Sequence, residues 1–187
     1  TTSYHHRCQM KHNLVDIINR AIGKEEVKRK FLDRLRQGQL TRSENPTSHF
    51  CVYFAVLDPN EQSVFIGHHK KSGLWLFNGG HMDPGETPTD TVIREAREEW
   101  GLTLNQNLLT DPQLVTLTEI EHPERQMCEW HFDFWHFLPF AQSSFHPSHT
   151  SLQIEFFFYG WKSFTQAAAL LTDANSREAL AYCGNLR

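Results

Sequence analysis

Residues Gly79 to Leu102 read GGHMDPGETPTDTVIREAREEWGL and carry the strongest pattern in the chain. Its second half predicts a helix, because Thr87 can act as N-cap, Pro88 occupies the first helical position and Asp90 can complete a capping box. Gly101 predicts where the helix ends. At roughly 100° per residue, the helix has an apolar face and an acidic face. These faces hold Val92, Ile93, Ala96 and Trp100 on one side, and Glu95, Glu98 and Glu99 on the other.

The acidic face places its carboxylates at spacings i, i+3 and i+4. Like charges at these spacings repel by about a few tenths of a kcal/mol per pair in water, and by more beside a packed core. A bound divalent cation would turn that repulsion into affinity. The ordinary interpretation of a lone ExxEE is a solvated face, eased here by the pairs Asp90 with Arg94 and Arg94 with Glu98. The residues that flank the cluster in the sequence favour a cation site over a solvated face.

The whole stretch resembles the Nudix box, G-x5-E-x7-R-E-U-x-E-E-x-G-U, in which U is a bulky aliphatic or similar residue. The matching residues are Gly80, Glu86, Arg94, Glu95, Ala96, Glu98, Glu99, Gly101 and Leu102. This resemblance to the Nudix hydrolases implies cleavage of a nucleoside diphosphate linked to another group, by attack of a metal-activated water on phosphorus. It implies Mg²⁺ or Mn²⁺ as the cofactor and a small-molecule nucleotide as the substrate.

The resemblance also implies a role for each residue of the box. Glu98 and Glu99 are expected as the principal metal ligands, and Glu95 as a further ligand or the group that orients and deprotonates the water. A backbone carbonyl of Gly79 or Gly80 can add another ligand, and both glycines let the substrate approach the backbone. The supporting roles fall to Arg94, which should hold the carboxylates, and to Glu86 and Gly101, which are structural in the box.

Candidate site residues outside the acidic face are less constrained by the pattern. An additional acidic ligand or base is expected late in the chain, with Glu155 first and Glu129 and Glu119 after it. His131 and Asp133 share a strand face and could reach substrate or metal, although a hydrogen-bonded polar pair beside the core explains them too. The remaining substrate candidates are His81 inside the box and the aromatic residues Trp75, Phe77, Phe132 and Trp135, which packing in the sheet would explain equally well.

The rest of the chain predicts strands interleaved with helices. Strands are expected over 49–57, 63–68, 74–77, 114–121, 130–138 and 154–161, and helices over 12–20, 24–37, 164–171 and from Asp173 to Gly184. A polar leader is expected over 1–11, and a polar loop over 141–151. The predicted fold class is α/β, a mixed sheet in an α/β/α sandwich, which is also the Nudix fold. The division expected is a helical extension with linker over 1–45 and a Nudix domain over 46–187.

The composition limits which partners and which cellular compartment are expected. The net charge of −4 argues against bulk nucleic-acid binding, and no apolar run is long enough to cross a membrane. Cys8, Cys51, Cys128 and Cys183 form no CxxC pair, which favours buried free thiols in a reducing, cytoplasmic compartment. A zinc site at His68, His69 and His81 is disfavoured, because no thiolate or regular ligand spacing accompanies them. A homodimer is expected from the resemblance.

The leading functional hypothesis is a metal-dependent diphosphatase acting on a nucleotide sugar such as ADP-ribose or on a modified nucleoside triphosphate. Two alternatives stay open at this point. The first is an isomerase of a prenyl diphosphate, for which Cys51 and Cys128 are the available thiols, and the second is a module that senses a nucleotide without cleaving it. The complete carboxylate set favours hydrolysis over both.

Overall fold

The computed structural model describes residues 13–120 and 127–186. The strands are β1 (Ser48–Asp58), β2 (Ser63–His69), β3 (Trp75–Leu76), β4 (Asn78–His81), β5 (Leu114–Glu119), β6 (Trp130–Pro139) and β7 (Phe156–Ser163). The helices are α1 (13–20), α2 (Glu25–Gln37), α3 (Pro88–Trp100), α4 (His149–Glu155), α5 (Phe164–Leu170) and α6 (Ala174–Cys183). The predicted polar leader over 1–11, Cys8 and Glu121 lie outside the described residues.

The sheet is mixed, as the sequence predicted. Its strand order is β3-β2-β1-β6-β5, with β4 added to β1 and β7 added to β2. The central strands β1 and β6 run parallel over their whole lengths, whereas β2, β4, β5 and β7 pair antiparallel with their neighbours. Because β1 is almost entirely buried, its continuous run of apolar residues fits a strand covered on both faces.

Two hydrophobic clusters cover the two faces of this sheet. On one face, alternate residues of β1 such as Phe50 and Phe54 pack with Val92, Ala96 and Trp100 of α3. On the other face, the cluster contains residues of α5 and α6. These two layers of helices on a mixed sheet confirm the predicted α/β/α sandwich. Among the described residues, no helix has the length and apolar character needed to cross a membrane.

The predicted N-terminal helices are present and pack on the sheet of their own chain. In α2, Phe31 and Leu35 are buried, and the Phe31 ring lies edge-on to Phe132 at 5.1 Å between centroids. A backbone bridge between Ile22 and Leu114 ties the segment between α1 and α2 to β5. The apolar stripe of α2 is therefore already buried within the chain, in the same core as α3, and the division near residue 45 stays a prediction.

Three predicted boundaries were wrong. The segment predicted as a polar loop over 141–151 contains a 3-10 turn (Gln142–Ser144) and the start of α4, because Ser148 caps that helix and Leu152 is buried beneath it. The last strand begins at Phe156 rather than Ile154 for the same reason. The glycine pair Gly79 and Gly80, for which the sequence predicted no strand, lies in the short strand β4 and pairs with β1.

The buried side chain of His136 on β6 makes stability depend on pH. Burial lowers the pKa of His136 from 6.5 to about 4. In mild acid the unfolded chain therefore takes up a proton that the folded chain does not, and stability is lost as the pH falls from 6.5 toward 4. We expect urea unfolding to show about 2 kcal/mol less stability at about pH 5 than at about pH 7 from this residue.

The variant His136→Leu should lose this part of the pH dependence, because leucine cannot titrate. Any remaining slope would come from other groups with shifted pKa values, namely the half-buried His81 and His131 and the carboxyls of Glu99 and Asp133. An identical slope in the variant and the unmodified protein would contradict the assignment to His136.

Candidate active site

The strand β4 brings its two glycines into close contact with neighbouring elements. A Cβ atom added to Gly79 would lie 2.5 Å from the carbonyl oxygen of Val52, and one added to Gly80 would lie 1.9 Å from Oε1 of Glu95. Glycine is therefore required at both positions for the observed packing. The contact at Gly80 places the backbone of β4 directly against a carboxylate of α3.

The helix α3 forms as its sequence predicted. Thr87 and Asp90 make a reciprocal capping box, Pro88 occupies the first turn, and Gly101 ends the helix with a φ of 65°. Burial of Ala96 and Trp100 fixes the rotation of the helix, since these residues pack in the core. That rotation directs the acidic face toward β4.

Arg94 organises the carboxylates around it. Its guanidinium donates two hydrogen bonds to Glu86, with Nε to Oε1 at 2.8 Å and Nη2 to Oε2 at 3.0 Å, and one from Nη1 to Oε1 of Glu95 at 2.6 Å. Nη2 also donates to the backbone carbonyl of His81 at 2.8 Å. Burial opposes the charge of Glu86, but the bonds from Arg94 lower the pKa of Glu86 overall. Arg94 thus joins the turn at Glu86, the strand β4 and the helix α3.

Glu98 and Glu99 are left with less positive charge nearby. The Glu98 carboxylate lies 3.7 Å from Nη1 of Arg94 and is mostly exposed, whereas Glu99 accepts a hydrogen bond from the buried amide of Asn78. Burial raises the pKa of Glu99 to about 8, with smaller contributions from the negative charges of Glu95, Glu155 and Glu98, and the bond from Asn78 opposes this rise. Burial likewise raises the pKa of Glu95, despite its bond to Arg94. Negative charge is therefore in excess on this face.

Glu155 lies close enough to this cluster for its charge to act on Glu99. It is the last residue of α4, and its carboxylate lies 3.4 Å from Nε2 of His69 and 3.9 Å from Nζ of Lys71. The other acidic candidates are exposed, with Glu129 directly before β6 and Glu119 at the end of β5. Of the three, the structure gives Glu155 an electrostatic link to the cluster.

Comparison with known proteins bears directly on this carboxylate cluster. The family model described as the NUDIX domain matches residues 47–183. The chain belongs to the Nudix family. The match contains the whole sheet with helices α3 to α6, and it confirms the resemblance drawn from the Nudix box.

Solved Nudix structures share the fold at low sequence identity. The dihydroneopterin triphosphate pyrophosphohydrolase of E. coli superposes with a TM-score of 0.62 at 20% identity, covering 74% of this chain and 96% of that one. A NUDIX-family hydrolase from Clostridium perfringens gives a TM-score of 0.56 at 24% identity, covering 74% and 97%. At these identities the likeness shows the fold alone.

Curated relatives match over shorter segments. The 8-oxo-dGTP diphosphatase of Proteus vulgaris is 33% identical over 60 residues, which are 30% of this chain and 54% of the relative. Nudix hydrolase 3 of Caenorhabditis elegans is 27% identical over 104 residues, which are 48% of this chain and 42% of the relative. The chain thus spans about half or less of the length of these relatives.

The Nudix carboxylates fit a hard divalent cation. Arg94 is committed to Glu86 and Glu95, so Glu98 and Glu99 share an electrostatic repulsion that the described residues do not neutralise. Carboxylate oxygens are the donors that Mg²⁺ and Mn²⁺ prefer. A cation at this face would lower the raised pKa of Glu99 by favouring its ionised form.

The aromatic residues predicted to contact substrate differ in how far their rings are buried. Phe77 is buried and packs edge-on against Trp135 at 5.7 Å between ring centroids, so it offers no free face for a base. Phe132 and Trp135 are buried too. Packing in the sheet explains these residues, as the sequence allowed. Trp75 is half-buried, with Nζ of Lys162 5.5 Å from its ring centroid, and it is the aromatic candidate whose ring is partly open.

His81, His131 and Asp133 lie on the side of the sheet that carries α5 and α6, because they alternate with residues that face α3. Asp133 is fully buried and accepts hydrogen bonds from Thr116, Thr118 and Asn175, whereas the polar pair that the sequence left open was with His131. Burial raises the pKa of Asp133 to about 8. Their contact with substrate stays a prediction.

Sequence reasoning missed the role of Asn78. In the structure its buried amide holds the Glu99 carboxylate. The sequence did offer one signal, an amide side chain next to a glycine pair that precedes an acidic helix. Only the packing of β4 on α3 brings the side chains of Asn78 and Glu99 together.

The close approach of Gly80 to Glu95 predicts the effect of an added methyl group. In Gly80→Ala the new Cβ would overlap the Glu95 carboxylate, which must rotate out of its bond to Arg94. We expect kcat to fall more than about tenfold, with about 1 to 3 kcal/mol of stability lost. Steady-state kinetics and chemical unfolding would measure both effects.

Gly184→Ala is the matched control, because it adds the same methyl group at a helix end with a φ of −63° and a nearest contact of 3.4 Å. It should change neither quantity. Unchanged kcat in Gly80→Ala would show that Glu95 need not stay against β4.

Proposed function

We propose that this Nudix chain is a metal-dependent pyrophosphohydrolase that cleaves a phosphoanhydride bond in a nucleotide by attack of water on phosphorus. One observation supports this most directly. Glu95 lies against Gly80 of β4, Glu99 is bonded by Asn78 of the same strand, and Glu98 lies beside them on α3, with Arg94 holding Glu95 in place. A sensing module that does not cleave its ligand has no need of a complete carboxylate set.

In the proposed mechanism each box residue has a stated task. Glu98 and Glu99 are the principal ligands of Mg²⁺ or Mn²⁺, and Glu95 is a further ligand or the base that orients the attacking water. The Asn78 amide keeps Glu99 pointing toward the other carboxylates. The bound cation supplies charge neutralisation on the phosphoryl oxygens and a lower pKa for the water. Arg94 keeps Glu95 fixed while charge develops, which limits the reorganisation needed in the transition state.

Glu155 is proposed as the additional acidic group of the site. Its charge acts on Glu99, and its pairing with His69 fixes the end of α4 beside β2. If it helps to bind a second ion or to accept a proton, Glu155→Gln should lower kcat more than it raises KM. A loss confined to thermal stability would leave Glu155 with a structural task only.

The substrate class is proposed from the names of the relatives together with the box. One relative is named an 8-oxo-dGTP diphosphatase, and a structural neighbour is named a dihydroneopterin triphosphate pyrophosphohydrolase. Both names describe a triphosphate joined to a bicyclic ring system. Modified nucleoside triphosphates are therefore the first class to test, followed by nucleotide sugars such as ADP-ribose. For the bound nucleotide we propose contacts with the backbone at Gly79 and Gly80 and with the half-buried ring of Trp75.

The test is a panel of nucleoside triphosphates, oxidised nucleotides, nucleotide sugars and dinucleoside polyphosphates, assayed with Mg²⁺, with Mn²⁺ and with EDTA. Phosphate or pyrophosphate release should depend on the metal and favour one class. Turnover that persists in EDTA would contradict the metal-dependent mechanism. Absence of turnover across the panel, in protein that is folded and binds Mn²⁺, would contradict the hydrolase proposal.

A further inference from the structure

A second cluster of ligand side chains lies on the sheet face that carries α5 and α6. It consists of His49 and Cys51 on β1, His81 on β4 and His131 on β6, and one ligand atom from each lies within 4.8 Å of the others. The strand register creates it, because β6 places His131 beside His49 and β4 places His81 beside Cys51. We propose that these four residues, the His3Cys cluster, bind a zinc ion.

The donor set selects the class of metal. Three imidazole nitrogens and one thiolate sulfur match the tetrahedral N and S coordination of structural Zn²⁺. Mg²⁺ prefers oxygen donors, so the ion proposed for the carboxylates of α3 would not compete well here. The two clusters therefore call for two different metals in one chain.

Hydrogen bonding in the cluster favours the tautomer of His49 that a metal needs. Nδ1 of His49 donates to the carbonyl of Asn45 at 2.9 Å, so its Nε2 carries the lone pair, and the weak contact of Nε2 with Sγ of Cys128 at 3.6 Å would give way to coordination. Nε2 of His81 and Nε2 of His131 are buried without a hydrogen-bond partner among the described residues. Buried polar atoms without partners are costly, and coordination would satisfy them.

The distances require only small adjustments. Zn–N bonds of about 2.0 to 2.1 Å and Zn–S bonds of about 2.3 Å place the tetrahedral ligand atoms of three imidazoles and one thiolate about 3.3 to 3.6 Å apart. Closing the cluster from 4.8 Å therefore needs movements of about 1 Å or more, within reach of side-chain rotations. His49 and Cys51 are buried, whereas His81 and His131 are half-buried and leave an entry path. Coordination would convert the Cys51 thiol to a thiolate and release its proton.

The position of the cluster gives the metal a structural consequence. It would tie together β1, β4 and β6 directly after the glycine pair, since His81 follows Gly80 in the chain. The carbonyl of His81 also accepts the hydrogen bond from Arg94. Zinc at this position would brace the strand against which the catalytic carboxylates are held.

The experiment measures metal in protein whose purification tag has been removed, dialysed against a Mg²⁺ buffer without chelator. Mass spectrometry of the metals should find about one zinc per chain. Co²⁺ added to the zinc-free protein should give the thiolate-to-cobalt charge-transfer band and the intense visible bands of tetrahedral Co²⁺. In Cys51→Ser the charge-transfer band should disappear and zinc affinity should fall at least about tenfold.

Matched variants show which thiol binds the metal and control for misfolding. Cys183→Ser alters a buried free cysteine at the end of α6 and should leave both readouts unchanged. Sγ of Cys128 lies 3.6 Å from Nε2 of His49, so Cys128→Ser tests the other nearby thiol. His131→Gln removes a half-buried ligand, and circular dichroism verifies that its fold is retained while zinc is lost.

The test of the zinc proposal does not depend on catalytic activity, so the zinc proposal and the proposed reaction can fail independently. Protein that holds less than about a tenth of an equivalent of zinc and gives no Co²⁺ band would overturn it. A charge-transfer band that survives Cys51→Ser but not Cys128→Ser would overturn the assignment of Cys51. Raised KM in His81→Gln and His131→Gln, with no metal in the unmodified protein, would reassign these side chains to substrate contact.

Discussion

Glu98→Gln is expected to lower kcat/KM at least about a hundredfold, which corresponds to about 2.7 kcal/mol of transition-state stabilisation. The amide keeps the size of the side chain but removes the negative charge that would hold the divalent cation. Stability should change little, because the Glu98 side chain is 60% exposed and lies 3.7 Å from its nearest guanidinium nitrogen. Kinetics with the best substrate of the panel and thermal unfolding would measure the two effects.

Glu61→Gln is the matched control for this prediction, since Glu61 is an exposed glutamate in the turn between β1 and β2. It should leave kcat/KM and the unfolding temperature unchanged. Higher Mn²⁺ concentrations should partly restore Glu98→Gln if the lost charge acts through metal affinity. Full activity of Glu98→Gln at limiting metal would contradict the proposed mechanism.

Arg94→Ala is expected to destabilise the fold as well as abolish activity. It removes hydrogen bonds to Glu86, Glu95 and the His81 carbonyl, and leaves two largely buried carboxylates without their cation. Breaking one partner of a buried ion pair costs about 3 kcal/mol, which would lower the unfolding temperature by about 6 to 12 °C in a chain of this size. Differential scanning calorimetry and the phosphate-release assay would test both expectations.

Arg97→Ala is the control on the same helix, where Arg97 is exposed. The unfolding temperature of Arg94→Lys should lie between those of Arg94→Ala and Arg97→Ala. Lysine keeps the charge but cannot donate the paired hydrogen bonds that Glu86 accepts. An unfolding temperature for Arg94→Ala equal to that of Arg97→Ala would show that the carboxylates tolerate the loss of their cation.

Local signals made much of this site predictable. The capping box of Thr87 and Asp90, the helix end at Gly101 and the spacing of the carboxylates all act within a few turns of one helix, and the structure has each of them. The positions of the strands along the chain were predictable because their apolar runs are long, as in β1. The segment before β7 was mistaken for a loop because α4 is short and polar, with only Leu152 buried in it.

The Nudix box, the α/β fold class and the acidic face of α3 follow from the sequence, because these depend on neighbours in the chain. Which distant side chains meet depends on the tertiary structure. Cys51 seemed unrelated to any histidine, and zinc was disfavoured for want of a thiolate near His81. The parallel register of β1 with β6 and the pairing of β4 with β1 bring them together. Strand register is set by the packing of whole faces, which local spacing does not encode.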